Sequence, residues 1–357
     1  MNSRYLLPLL LAALSLSLCL SGCALHNPKA QLKEQLEALK HPETDEDLLN
    51  TIHQLDQDKS LQLLDYDHGI LASRLLENYD YQIQSSKITG EKAEVTIKLT
   101  TRNMEQLMDA YRSEILNRYI TSGPMGQASA LDCTDILSDI LNSSSEFQTR
   151  RITLSLIRSE DGWAYEAPST VLDQLTGGLI TSIENSGLTS ASAMAQAYLD
   201  QLKEMAPETL RQYLSIRHFF SDQEPQASSQ DLAYAAQIHK NLDYQILSCE
   251  QTDTSALVNL SLNLTTADLP KLFTAYKDQL NTLKNDPALL KLTDEEFLIK
   301  SSDLLLNLLE ESMTSVTIET SLPMTQTNGV WLPRIETNAF SDALLGNYPE
   351  AISVLQN

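Results

Sequence analysis

Six histidines are the residues best suited to binding a metal or moving a proton, and they are His26, His41, His53, His68, His218 and His239. No two stand three or four residues apart, and none lies in a His-Glu-x-x-His pattern, so no helix presents two imidazoles to one zinc ion. Asp65 and Asp67 stand close together, but a calcium loop counted from Asp65 would need glycine at Ile70 and glutamate at Leu76. We therefore predict no metal site and no cofactor.

Aspartates next to tyrosines are the second set of residues that could do chemistry. A ketosteroid-isomerase-like site needs an aspartate base and a phenolic oxyanion donor in one pocket. The candidates are Asp80, Tyr81, Tyr111 and Tyr119 in the first half, and Asp243, Tyr244 and Tyr276 in the second. Tyrosines at inward positions are more often core residues, and no Gly-x-Ser-x-Gly elbow or glycine-rich phosphate loop is visible. We predict a non-enzymatic protein with no catalytic residue, and an isomerase or dehydratase is the alternative.

The N-terminus carries a cysteine in a sequence context typical of processing. Arg4 precedes an apolar run from Tyr5 to Leu18, which is too short for a comfortable bilayer span, and Leu20-Ser21-Gly22-Cys23 follows. These four residues resemble the lipobox of bacterial lipoproteins, in which the cysteine becomes the new N-terminus and carries a diacylglyceryl thioether. The resemblance implies a signal peptide over residues 1–22, lipidation of Cys23 and a location on the extracytoplasmic face of the cell membrane. An uncleaved membrane anchor is the alternative.

A short tether follows the lipidation site. Two acyl chains anchor a protein stably. Residues 23–30 precede the first helical pattern, and the segment from Ala24 to Ala30 spans at most about 25 Å when fully extended. We therefore expect the first domain to lie close to the membrane.

The charge balance excludes one class of partner. The chain has 25 basic and 48 acidic residues, a formal net charge of −23. Nucleic acid and anionic headgroups are bound by stripes of Lys and Arg, which the sequence does not show. We predict no nucleic-acid partner. The expected partners are the membrane, through the lipid anchor, and a protein or small-molecule ligand whose identity the sequence does not reveal.

A repeat organises the elements that must position these residues. Asp80-Tyr81-Gln82-Ile83-Gln84-Ser85 recurs as Asp243-Tyr244-Gln245-Ile246-Leu247-Ser248, at an offset of 243 − 80 = 163. From Thr100 to Tyr111 the offset is 265 − 100 = 165, so we predict two extra residues in the loop between these segments. A repeat of this length indicates a duplicated domain, with the first domain over 31–186 and the second over 187–357.

Each half follows the same order of elements: helices, a strand pair, further helices and a closing hairpin. Alternating apolar residues from Ala93 to Thr101 predict a half-buried antiparallel ribbon. Thr100 or Thr101 is expected to cap the next helix, and Val171 to Ile183 to form the last one. The predicted fold class is α+β, with two tandem duplicated domains. In each, N-terminal helices pack on a curved antiparallel sheet that has an inserted helical region.

The four cysteines predict no duplicated disulfide framework. Cys19 would leave with the signal peptide, and Cys23 would be lipidated. Cys133 lies at apolar spacing with Ile136, Leu137 and Ile140, which predicts a buried thiol. Cys249 does not stand at the equivalent place in the repeat, although a bond between Cys133 and Cys249 remains open.

This order of elements, closing in Gly162-Trp163 and in Gly329-Val330-Trp331, resembles the cystatin-like or nuclear-transport-factor-2-like α+β cone. More narrowly, it looks like lipoproteins of Gram-positive bacteria that are built from two such domains. In that superfamily the sheet wraps an active site, a ligand cavity or simply core, so the resemblance implies a fold and does not choose a function. Inserted helical regions near 102–142 and 267–311 depart from the usual cone, and no functional residue is carried over.

Three functions remain, of which a membrane-anchored binding module leads and the isomerase is the first alternative. The second alternative is a solute-binding lipoprotein that feeds a transporter. Such proteins have two α/β lobes with parallel, nearly continuous apolar strands. The strands of this chain alternate instead, which makes this alternative the weakest.

Overall fold

The computed structural model of the protein describes residues 27–57, 67–122, 131–159, 162–213, 236, 242–285, 292–327, 329–335 and 339–344. Within them the fold is α+β, with two four-stranded sheets in which every pairing is antiparallel. The predicted signal peptide, Cys23 and the start of the tether lie outside the described residues, as do Asp65, His26, His218 and His239.

The chain divides into two compact units, Met1–Ile115 with Asp132–Thr189, and Leu116–Leu131 with Ser190–Asn357. The last residues of the fourth helix therefore group with the second unit. The elements up to residue 185 are α1 (Pro28–Ala38), a 3₁₀ turn (Pro42–Thr44), α2 (Glu46–Gln57), α3 (His68–Leu75), β1 (Asp80–Thr89), β2 (Lys92–Arg102), α4 (Met104–Thr121), α5 (Cys133–Ser143), β3 (Phe147–Ser159), β4 (Gly162–Tyr165), α6 (Pro168–Leu175) and α7 (Leu179–Asn185).

The remaining elements follow the same order of helices, ribbon, helices and hairpin. They are α8 (Ala191–Glu204), α9 (Pro207–Tyr213), β5 (Asp243–Gln251), β6 (Ser255–Thr266), α10 (Leu269–Lys284), α11 (Asp294–Ser312), β7 (Thr314–Thr327), β8 (Val330–Pro333) and α12 (Ala339–Leu344). The strand orders are β1-β2-β3-β4 and β5-β6-β7-β8.

The inner face of each sheet is apolar, and helices pack on it. In β2, Ala93, Val95, Ile97 and Leu99 are at most 1% exposed, while the residues between them point outward. The prediction of a half-buried ribbon is therefore confirmed. Helix α1 packs against β1, β2 and β4, and α8 packs against all four strands of the second sheet. Both helices begin at a side-chain cap that satisfies an orphan amide, from Asn27 or Ser190.

The two ribbons have the same pairing register. Asp80 lies opposite Thr100, and Asp243 lies opposite Asn263. Each ribbon has a bulge at the same place, between Ile83 and Ser85 or between Ile246 and Ser248. Every paired residue of the second ribbon is therefore 163 positions after its counterpart in the first.

The prediction that two residues were inserted in the hairpin loop is wrong. Strands β2 and β6 begin at Lys92 and Ser255, so the offset after the loop is still 255 − 92 = 163. It reaches 165 only where the strands run into the next helices, at Met104 and Leu269 (269 − 104 = 165). The sequence comparison matched Thr100 to Thr265 because both begin a Thr-Thr pair. In the structure Thr100 lies opposite Asp80, and its counterpart opposite Asp243 is Asn263, two residues before Thr265.

Two helix boundaries also differ from the prediction. Strand β2 continues through Thr101, so neither Thr100 nor Thr101 caps α4; the Asn103 carboxamide oxygen instead accepts from the Gln106 amide at 3.4 Å. The predicted helix from Val171 to Ile183 is two helices, because Gly177 and Gly178 between them have φ of 85° and 83°. Such left-handed backbone ends a helix and favours glycine.

Candidate functional site

A tyrosine on the first strand of the first sheet bonds a carboxylate on the helix packed against it. The Tyr81 hydroxyl donates to Glu37 Oε1 at 2.6 Å, and Lys40 Nζ lies 4.9 Å from the centroid of the Tyr81 ring. Desolvation and the hydrogen bond to Glu37 raise the pKa of Tyr81 to about 12. The same hydrogen bond lowers the pKa of Glu37. The phenol therefore stays neutral near pH 7, and its proton is already engaged.

The second unit repeats this arrangement. The Tyr244 hydroxyl donates to Asp200 Oδ1 at 2.6 Å, and Lys203 Nζ lies 5.9 Å from the ring centroid. Lys203 also donates to Asp243 Oδ1 at 2.9 Å, and this bond lowers the pKa of Asp243. Tyr276, the other tyrosine predicted for this half, is half-buried.

These two constellations occupy equivalent positions. The offsets are 244 − 81 = 163, 200 − 37 = 163 and 203 − 40 = 163, equal to the offset of the ribbons. Sequence reasoning had aligned only the strands, so it missed the two carboxylates and the two lysines on the helices. Applying the strand offset to the helices would have found them, since both helices also start 163 residues apart, at Pro28 and Ala191.

The other two predicted tyrosines of the first half are core residues whose hydroxyls donate to backbone carbonyls. Tyr111 is fully buried, and its hydroxyl donates to the Cys133 carbonyl at 3.3 Å. Burial raises the pKa of Tyr111 well above its ordinary value. Tyr119 is also buried and donates to the Pro333 carbonyl. Asp80 is exposed, and its charge is a minor cause of the raised pKa of Tyr81.

Three arginines have the same structural role, since each donates from its guanidinium to a backbone carbonyl at the C-terminus of a helix. The pairs are Arg102 with Ser144 after α5 (2.6 Å), Arg150 with Gln174 of α6 (2.6 Å) and Arg112 with Ser186 after α7 (2.7 Å). None of these helices has a basic residue in its own last turn. A cation there offsets the negative end of the helix dipole, so we assign these arginines to the fold rather than to a ligand.

The outer face of the first sheet is polar and open. Its hydroxyls pair across the strands, Thr96 with Thr153 and Thr100 with Thr149, each at 3.0 Å. Between these pairs Lys98 lies directly opposite Arg151, and both are exposed. Like charges directly opposite each other destabilise a sheet, so the fold gains nothing from this pair.

The outer face of the second sheet is also polar, but the row equivalent to Lys98 and Arg151 contains no cation. Ser261 lies opposite Glu319 at the position equivalent to the cation pair, because 261 − 98 = 163 and both pairs sit in the same register row. Hydrogen bonds join Asn259 to Ser248 at 2.9 Å and Thr317 to Asn263 at 2.6 Å. The two outer faces thus share a hydroxyl-rich surface and differ in charge.

Among the described residues, no group of three or more His, Cys, Asp and Glu side chains could hold a metal ion. The rings of His53 and His68 lie edge to face with centroids 5.3 Å apart. Cys133 is buried, as predicted, and both Cys133 and Cys249 are free thiols whose pKa is raised by desolvation. The structure has no disulfide bond between Cys133 and Cys249.

Within the part of the chain that the structure describes, no helix is both long enough and apolar enough to cross a bilayer. Comparison with protein-family models, with curated proteins and with solved structures finds no match.

Proposed function

We propose that this protein is a lipid-anchored, extracytoplasmic lipoprotein. Its two tandem copies of one cystatin-like or nuclear-transport-factor-2-like domain form a non-enzymatic binding module for a ligand or protein at the membrane surface. The anchor is supported by Leu20-Ser21-Gly22-Cys23 after a short apolar run. The two acyl chains at Cys23 would hold the protein stably at the membrane.

The main support for a duplicated domain is the offset of 163 residues between equivalent features of the two units. It holds for the start of the first helix, the helix carboxylate and lysine, the strand tyrosine, the bulge and every paired residue of the ribbon. Chance similarity of two α+β units would not reproduce a bulge and a side-chain hydrogen bond at one fixed spacing. A gene duplication accounts for all of these features together.

The open outer faces support binding as the activity. Hydroxyl and carboxamide groups on exposed sheet positions can make hydrogen bonds to a partner, and on the first sheet the exposed Lys98 adds a cation that can pair with an acidic group of the partner. The enzymatic alternative has less support, because Tyr81 and Tyr244 already donate to Glu37 and Asp200. A phenol that donates to a carboxylate has no free proton for a substrate oxygen. The transporter alternative expects parallel strands, and the pairings are antiparallel.

Affinity capture from native membranes tests the binding function. The anchored wild type is compared with Lys98→Ser, which removes an outer-face cation, and with Lys33→Ser, the same change at an exposed position of α1. We expect a stoichiometric partner or a retained small molecule that the wild type and Lys33→Ser hold and that Lys98→Ser loses. Equal retention by all three proteins contradicts binding through this face, and substrate turnover by the purified protein contradicts the non-enzymatic assignment.

A further inference from the structure

The hairpin end of the first sheet exposes two isoleucines among basic residues. We call this end the first tip, and it consists of Lys87, Ile88, Lys92, Ile157 and Arg158. Ile88 is 53% exposed and Ile157 is 38% exposed. Lys92 lies directly opposite Ile157, and the three basic side chains are exposed. By pairing register Ile88 lies on the same face as the buried Ala93, and Ile157 lies on the opposite face with Lys92. The first tip therefore exposes one apolar side chain on each face of the end of the sheet.

The equivalent end of the second sheet has a different character. By pairing register, the five positions of the first tip correspond to Glu250, Gln251, Ser255, Thr325 and Gln326. None of these is apolar or basic. The same hairpin thus folds without isoleucines or cations at these positions, so the fold does not explain their presence in the first tip. The exposed Leu257 of the second sheet lies beside Glu250 and has no basic neighbour in its row, which it shares with Pro323.

The chain enters the first unit at the same end of the sheet. Near the start of α1, the Gln31 carboxamide bonds both main-chain groups of Trp163, with 2.8 Å from the Trp163 nitrogen to Gln31 Oε1. Trp163 pairs with Arg158 of the first tip. The other end of α1 lies at the far end of the sheet, where Glu37 accepts from Tyr81. Helix α1 therefore starts beside the first tip.

The anchor has little room to move away from that point. Asn27 caps α1, and Cys23 lies 27 − 23 = 4 residues before it. Four residues span at most about 14 Å when fully extended. The Cα atom of Cys23 is therefore at most about 14 Å from that of Asn27, so the bilayer that holds its acyl chains lies near the start of α1.

We propose that the first tip is a second membrane contact, in which the end of the hairpin points into the headgroup region of the bilayer that holds the lipidated Cys23, so that Ile88 and Ile157 enter it from the two faces of the sheet. This inference rests on the lipid anchor of the proposed function. Moving the apolar area of an isoleucine side chain out of water lowers the free energy of the system. Lysine and arginine keep their charged ends at the interface while their stems cover apolar surface.

The contact is apolar rather than electrostatic. Glu91, Glu94 and Glu166 lie on the same part of the sheet as the three cations, and Glu166 pairs with Lys92 at 2.8 Å. Glu160 and Asp161 follow β3 in the sequence. Attraction to anionic lipid therefore contributes little, and the contact forms on a neutral bilayer as well.

A matched pair of labelled proteins tests this contact. Full-length lipidated protein is reconstituted into phosphatidylcholine vesicles that contain a headgroup-region quencher. Cysteine for a fluorophore replaces Thr89 beside the first tip or the equivalent Thr252 (252 − 89 = 163), in a Cys249→Ser background. We expect at least about threefold stronger quenching at position 89 than at position 252.

Substitution of the isoleucines distinguishes insertion of the first tip from mere closeness of position 89 to the bilayer. Ile88→Gln with Ile157→Thr installs the residues of the second sheet, which are compatible with this hairpin, and we expect it to reduce quenching at position 89 to the level at position 252. Unchanged quenching in this variant, or equal quenching at the two labels, overturns the contact. If wild type and Cys23→Ser both remain in the soluble fraction, the lipid anchor and the tip contact are both wrong. If only Cys23→Ser is soluble and position 89 is not quenched, the tip contact alone is wrong.

Discussion

The buried guanidinium of Arg102 makes the sharpest prediction about stability. Its side chain is 0% exposed, whereas its partner Glu77 is 48% exposed, and the two are joined at 2.7 Å. Arg102 also donates to the Ser144 carbonyl and lies 5.2 Å from the Phe147 ring centroid. We expect the two members of this ion pair to respond differently to neutralisation.

Removing the acid leaves the buried cation without a counter-charge. Losing one partner of a buried pair costs about 3–5 kcal/mol, and we expect the lower limit, about 3 kcal/mol, for Glu77→Gln because Glu77 reaches water. Arg102→Met keeps most of the volume and lets Glu77 be solvated. Its main loss is the hydrogen bond to Ser144, which costs about 1–2 kcal/mol. The double variant should cost no more than Arg102→Met alone, because the uncompensated charge is gone.

Unfolding of the first unit can be followed separately, because the chain contains two tryptophans, Trp163 in the first unit and Trp331 in the second. In a Trp331→Phe background, urea unfolding followed by Trp163 fluorescence reports the first unit. Glu166→Gln is the matched control, since the Lys92–Glu166 pair is exposed and screened by water, so breaking it should leave the free energy of unfolding almost unchanged. A cost for Arg102→Met that exceeds that for Glu77→Gln would refute the reasoning.

Three further predictions concern the first unit. Gly177→Ala should cost about 2–4 kcal/mol by chemical denaturation, because a Cβ at φ +85° would lie 2.7 Å from the Thr101 hydroxyl; Gly90→Ala, at φ +63° with nothing within 4 Å, should cost about 1 kcal/mol. Arg151→Glu should stabilise the unit by about 0.2–1 kcal/mol at low salt, since it places an acid opposite a lysine, and a loss of stability contradicts this. Tyr81 has a raised pKa of about 12, so its stabilising effect is present below pH 10 and is lost as the pH rises toward 12. In a difference absorbance titration against Tyr81→Phe, the missing phenol should titrate near pH 12, and titration near pH 10 would be inconsistent with the hydrogen bond to Glu37.

Local patterns predicted most of the α+β fold. Alternation from Ala93 to Thr101 indicated the ribbon, because a strand with one buried face must repeat every two residues. Letter matching failed at Thr265, since strand register depends on the hairpin and its bulge rather than on residue identity. The glycine pair at 177 and 178 ends α6 through its backbone conformation, which hydrophobic periodicity does not report.

The candidate sites were less accessible to sequence reasoning. The hydrogen bond from Tyr81 to Glu37 joins residues 44 positions apart, so no local motif contains it. The first tip combines positions from β1, β2 and β3, and it becomes visible only when the pairing register places Ile157 opposite Lys92. In the second sheet the residues at the equivalent pairing positions are neither apolar nor basic.

Mass spectrometry of the N-terminal peptide, from protein purified out of membranes, tests the lipid anchor most directly. We expect a chain that begins at Cys23 and carries a diacylglyceryl group on its sulfur. A chain that retains residues 1–22 with an unmodified Cys23 would contradict the lipid anchor, and with it the membrane contact of the first tip.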